Sequence, residues 1–136
     1  MILPLAIMRS RIFAISDVHT DYAENLAYVR RLSKQTDFKD DTLICAGDVT
    51  DSLDTLRETL QCFTAAFGTV FFTPGNHEFW LRRDGSEGAD SLEKWARLQE
   101  LCARTGPCTG VCTGPRTGPC TGVCTGVCTG PCTGVC

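Results

Sequence analysis

Short apolar runs alternate with longer helical patterns along the first hundred residues. Residues 11–16 (RIFAIS) read as a strand, and 22–35 follow with Tyr22, Leu26 and Val29 at i, i+4 and i+7, the spacing of one helix face. Residues 42–46 (TLICA) are near-continuously apolar, the pattern of a strand covered on both faces of its sheet. Across 52–67, Leu53, Leu56, Leu60, Phe63 and Phe67 fall on one helical stripe, with Asp51 or Ser52 placed to cap the first turn. A third strand, 69–73 (TVFFT), runs into a polar stretch with an Asp84-Gly85 turn. A last helix over 92–103 then presents Leu92, Trp95, Leu98 and Cys102 to a core.

The order β-α-β-α-β-loop-α predicts an α/β fold with parallel strands joined by right-handed crossovers. The segments that follow the three strands therefore emerge together at the carboxyl edge of the sheet, where open α/β sheets bind ligands. Those segments are Asp17-Val18-His19, Gly47-Asp48-Val49-Thr50-Asp51 and Gly75-Asn76-His77-Glu78. Each offers hard oxygen or imidazole donors. Asp17 and His19 are two apart, so in extended backbone they point the same way, as two ligands of one ion must. Carboxylates, an imidazole and an amide oxygen form a ligand set suited to Mn, Fe or Zn. Gly47 and Gly75 permit the turns that bring Asp48 and Asn76 to the same point. A lone Asp-x-His or Gly-Asp is common in ordinary turns, but three such elements at the ends of three successive strands define a candidate site.

D-x-H, then G-D-x-x-D, then G-N-H-E resembles the calcineurin-like metallophosphoesterase superfamily, in the family's order, over residues 11–80. The resemblance implies the N-terminal β-α-β-α-β half of an αββα sandwich. It also implies a dinuclear site with Asp17 and His19 on the first metal, Asp48 bridging and Asn76 on the second. By the same resemblance His77 is the catalytic residue that faces the substrate phosphate. Asp51 and Glu78 would orient the His77 imidazole and its loop, and a metal-bridging hydroxide would attack a phosphate mono- or diester. The substrate would be a small-molecule phosphate ester or a nucleotide. GDVTDSL stands where Ser/Thr protein phosphatases have GDxVDRG, and the tyrosine ligand of purple acid phosphatases is not present, so neither branch is indicated.

The family completes its site with histidines from two later segments, commonly a Gly-His and a Gly-His-x-His. This chain has two histidines, His19 and His77, both already placed. The expectation is a chain shortened relative to the natural enzyme by a frame or splicing error, holding at most one metal weakly through Asp17, His19 and Asp48. The alternative is a catalytically inactive half-domain or a mis-predicted gene product.

Composition changes sharply at Thr105. From there the 136-residue chain reads as eight four-residue units, TGPC, TGVC and TGPR among them, which hold seven of its ten cysteines. These cysteines fall at multiples of four rather than at the Cys-x2-Cys spacing of thiolate metal sites. Gly in every unit and Pro in half of them oppose a helix. The division is therefore 1–10 as a leader or strand extension, 11–104 as a partial metallophosphoesterase domain, and 105–136 as a disordered low-complexity tail. The opening MILPLAIM has no basic residue before it, and translation from Met8 would lead directly into the first strand. No run of 18 apolar residues spans a membrane. The net charge of −3 gives no sign of a nucleic-acid partner. Cys45, Cys62 and Cys102 lie within apolar patterns as buried free thiols, which points to the cytoplasm.

Overall fold

A computed structural model describes residues 10–81 and 90–106, together with the backbone of 108–109. Four parallel strands lie in the order of the chain: β1 (Ile12–Ile15), β2 (Thr42–Cys45), β3 (Thr69–Phe72) and β4 (Cys108–Thr109). Between them run α1 (Ala23–Leu32), α2 (Leu53–Ala66), a one-turn 3-10 helix (His77–Phe79) and α3 (Ser91–Thr105). The α/β class and the parallel order expected from the sequence are those observed.

The elements form where the local chemistry asks for them. Ser52 caps α2 by accepting from the Thr55 amide at 3.3 Å, and Asp90 caps α3 by accepting from Leu92 and Glu93 at 2.9 and 2.8 Å. At its other end α3 closes on Gly106 at φ +90, a left-handed position that favours glycine. The buried side of the sheet, Leu43, Cys45, Val70 and Phe72, packs with Val29, Leu56, Leu60, Phe63 and Leu98 in one apolar core. Burial of each large side chain there is worth about 1.5–3 kcal/mol.

Four expectations are corrected. The sheet is not covered on both faces by the described residues: Ile12, Ala14 and Ile44 alternate onto the opposite face and are exposed, Ile12 by 72% and Ile44 by 39%. An apolar run signals burial but cannot say whether a covering layer is at hand. Tyr22 does not join the α1 stripe, because it is the N-cap residue in extended backbone and is exposed. Leu92 likewise points to solvent, 77% exposed, and Lys94 takes the buried position in the first turn of α3. Finally, the start of the repeat segment is not all tail, since Cys108, the last residue of the first unit, and Thr109, the first of the second, pair with Phe71 and Phe72 as β4. The leader, the Asp84-Gly85 turn and the repeats beyond residue 109 lie outside the described residues.

Candidate metal and phosphate site

At the carboxyl edge the backbone itself is unusual. Asp17, His19 and Asp48 have φ of 54, 44 and 55 degrees, three non-glycine residues in the left-handed region. Each such residue costs on the order of 1–3 kcal/mol and persists only where its surroundings fix it. Asp17 and His19 are therefore not extended, as the spacing suggested. They meet by another route, with Asp17 Oδ1 4.0 Å from His19 Nε2.

The surroundings that hold this geometry are hydrogen bonds between the first two loops. The amides of Asp17, His19 and Thr20 donate to the carbonyls of Gly47, Asp48 and Val49 at 3.2, 3.2 and 2.8 Å. Asn25, on α1, donates its side-chain amide to the Val18 and His19 carbonyls at 2.8 and 3.1 Å. Thr20 adds its hydroxyl to the Val49 carbonyl, and Thr59 of α2 donates to the Thr20 hydroxyl in turn.

The second and third loops are joined by close approach. Gly47 sits at φ +80, and a Cβ there would stand 2.3 Å from the Gly75 nitrogen. A Cβ on Gly75 would stand 2.4 Å from Asp48 Oδ1. Glycine is needed at both positions, so that Asp48 can press against the Gly75 backbone. Asp48 Oδ1 also accepts from the His77 amide at 3.0 Å.

Glu78 is fully buried, and its two oxygens accept from four backbone amides: Asp48 at 3.0 Å, Val49 at 2.6 Å, Thr50 at 3.2 Å and Gly75 at 2.7 Å. A carboxylate holding four amides on two loops sets the path of both. The orienting contacts on the His77 ring come from elsewhere: Trp80 lies against it at 3.8 Å between ring centroids, and His19 meets it edge-on at 4.6 Å. Asn76 has ordinary right-handed backbone at the start of the 3-10 helix and is exposed. Asp51 is buried, and its carbonyl accepts from Lys94 Nζ at 2.6 Å. Lys94 donates to the Trp80 carbonyl as well, so one buried ammonium pins α3 to both sides of the site.

Three residues that sequence reasoning passed over belong here. Asp21 continues the alternation of Asp17 and His19 by one more step, a signal that was readable; its Oδ1 accepts from the Thr50 hydroxyl at 2.6 Å. Trp80 lies three residues past His77, a spacing that stacks side chains on a 3-10 turn and that only the turn reveals. Lys94 carries no signal at all in a helix that otherwise looks amphipathic. His19, Asp21 and His77 are half-buried, and their ligating atoms all lie within 4.8 Å of one another. Together with Tyr22, Asp51 and Trp80 they line a cavity of about 270 Å³, a volume that admits a small ligand group.

Strand-end loops thus bring carboxylates and imidazoles around a small cavity on a parallel α/β sheet, a donor set of the kind that binds metal ions. The calcineurin-like phosphoesterase family model matches residues 10–114, and this chain belongs to that family. It is 32% identical over 98 residues to the [acyl-carrier-protein] phosphodiesterase PptH of Mycobacterium tuberculosis (strain ATCC 25618 / H37Rv), an alignment covering 72% of this chain and 30% of that protein. It is also similar to the crystal structure of phosphopantetheinyl hydrolase (PptH) from Mycobacterium tuberculosis. That match has a TM-score of 0.64 at 30% identity and covers 78% of this chain and 37% of the other. The chain thus spans about a third of the length of these relatives. Among the described residues no helix is long and apolar enough to cross a membrane.

Proposed function

We propose that this chain carries the metal- and phosphate-facing edge of a metal-dependent phosphoric ester hydrolase. The observation that carries the reading is the meeting of His19, from the loop after β1, with His77, from the loop after β3, at 4.6 Å in a chain of this family.

The donors fit divalent or trivalent ions such as Mn, Fe or Zn. Asp17 Oδ1 and His19 Nε2 are 4.0 Å apart, a spacing that one ion spans with ligands on either side. Asp48 stands between the loops with its carboxylate against an uncovered Gly75 backbone. Asp17 and His19 would hold one ion, Asp48 would serve two, and Asn76 would complete the second. Bound ions supply charge neutralisation for phosphoryl oxygens and an acidified water. The protein's own part is positional. His77 would face the phosphate as proton or hydrogen-bond donor, with Trp80 restricting the turn of its ring. Glu78 would keep the Asp48 and Gly75 loops in register.

The relatives named for phosphodiester and phosphopantetheinyl hydrolysis support a diester as the substrate class. Free Cys45, Cys62 and Cys102 support a reducing, cytoplasmic compartment.

A second reading, that of a half-site without turnover, is favoured by one specific observation. The chain has two histidines, both already at this edge. On this basis the 136-residue chain holds at most one ion weakly and turns over little or no substrate.

Translation of the message beyond the Arg104 codon in all three frames shows whether a Gly-His-x-His segment follows. Hydrolysis of a generic aryl phosphodiester with added manganese then compares the two chains. The expected outcome is no turnover by the short chain. A chain extended by that segment turns over, and His77→Ala lowers its rate by about 10²–10⁴-fold. Turnover indifferent to His77→Ala removes the role given to that residue. Turnover by the short chain itself, abolished by His77→Ala, overturns the half-site reading.

A further inference from the structure

We infer that Lys94 is a positioning residue for His77: its buried ammonium sets the backbone of Trp80 and so holds the indole against the His77 ring. The inference rests on the reading of His77 as the group that faces the phosphate. It adds to that reading a residue from α3, an element outside the three strand-end loops.

Three contacts in series carry the assignment. The first is the ammonium. Lys94 is 2% exposed, and its Nζ donates to the Asp51 carbonyl at 2.6 Å and to the Trp80 carbonyl. A buried cation is retained only where polar groups replace its water, so ammonium and carbonyls fix one another. Asp51 and Trp80 both line the cavity, and these bonds therefore set two of its walls. The second is the turn. Trp80 closes the 3-10 helix with its amide on the His77 carbonyl at 3.0 Å, and it leaves in extended backbone at ψ 136. Its carbonyl thus meets α3, while the three-residue spacing of the turn places its side chain over His77. Beside it Phe79 meets Trp95 of α3 at 5.9 Å between ring centroids, so α3 holds the turn at two successive residues. The third is the stack itself, with the indole and imidazole centroids 3.8 Å apart and the planes 31° from parallel.

The backbone of His77 is tied through its amide on Asp48, but an amide bond leaves the ring free to turn about its side-chain torsions. The indole removes that freedom on one side. A proton donor must stand within hydrogen-bond reach of the oxygen it serves. Misplacement by about 1 Å can lower a rate by about 10²-fold. Without the Lys94 donor the Asp51 and Trp80 carbonyls lose a buried partner, the Trp80 peptide turns to find another, and the indole slides off the imidazole.

Because the chain has two histidines, the His77 ring can be followed singly by NMR. The full chain is labelled at histidine and held with a chelator at a pH well above the ordinary imidazole range, so that neither metal nor protonation moves the signal. Protons under the face of an indole are shifted upfield, and Trp80→Leu gives the His77 position without that shift. Lys94→Met keeps the stem and its packing but removes the charge. The His77 signal is expected to move most of the way to its Trp80→Leu position in Lys94→Met. It is expected to keep its parent position in Leu101→Ala, which loosens the same helix at a buried position away from the turn.

A His77 signal that keeps its parent position in Lys94→Met overturns the inference, because the stack then forms without the ammonium. An equal movement in Leu101→Ala overturns it as well, since the shift then reports stability alone. So does a Trp80→Leu spectrum with His77 at its parent position. If Lys94→Met does not fold, Asp90→Ala takes its place: it removes the exposed cap and frays the turn that carries Lys94. It should move His77 in the same direction by a smaller amount, and no movement overturns the inference. None of these measurements reads turnover, so failure of the phosphate-facing role, scored by the rate of His77→Ala, is a separate outcome.

Discussion

Glu78 offers the sharpest test of how the site is held. Replacing it by alanine leaves four backbone amides, those of Asp48, Val49, Thr50 and Gly75, without their acceptor at a fully buried position. An unsatisfied buried donor costs about 1–3 kcal/mol, and bonds to a charged acceptor sit at the upper end. Four such losses are not additive, because the loops relax and water enters the space left behind. We expect Glu78→Ala to destabilise by about 3–5 kcal/mol, a large share of the 5–15 kcal/mol typical of a whole domain. Glu78→Gln keeps the shape but turns an amide NH2 toward amides that also donate, so about 2–3 kcal/mol should be lost. Asp48 at φ 55 would also lose the contacts that make its backbone conformation tolerable. Urea unfolding followed by circular dichroism measures both variants. A Glu78→Gln protein within about 0.5 kcal/mol of the parent, the range of a neutral surface change, would refute the view that this carboxylate organises the two loops.

Lys94→Ala should cost about 2–3 kcal/mol in the same assay, because its buried ammonium bonds the Asp51 and Trp80 carbonyls; an unchanged midpoint would show that α3 docks without it. Ile12→Thr with Ile44→Thr should raise the monomer fraction in light scattering while leaving unfolding cooperative, since both side chains lie on the open sheet face. The parent chain itself should aggregate, and a monomeric, cooperatively unfolding parent would count against an unpartnered face. Burial pushes the Cys45 and Cys102 thiols up to about 12 from an ordinary 9.0. Between those values the folded chain keeps protons that the unfolded chain gives up, so stability is full below about pH 9 and falls as pH rises toward 12. A urea midpoint that stays constant across this range would contradict the burial of both thiols.

The sequence alone carried the element order and the three loops. Alternation of period two with period 3.6 is a local property, and the donor-rich segments end their strands wherever the chain is cut. The same local reading found Ser52 as a cap and found the Leu56, Leu60 and Phe63 stripe. It failed where a residue's position depends on what packs against it. Lys94 is buried because two carbonyls of distant loops converge on its ammonium. Leu92, apolar and in phase with the stripe, is exposed, and Lys94 takes the buried position in the same turn.

At the site the division is the same. Residue types and spacing determined that Asp17, His19, Asp48, Asn76 and His77 stand at one sheet edge, because parallel strands deliver their ends to one side. Tertiary structure decided how they stand there. Bonds between loops some thirty residues apart hold Asp17, His19 and Asp48 in left-handed backbone, and no local pattern encodes such contacts. The same contacts turned Glu78 inward to the amides and brought Asp21 beside His19 and His77. A ligand's identity is written in the chain, whereas its direction is set by whichever distant groups satisfy the backbone around it.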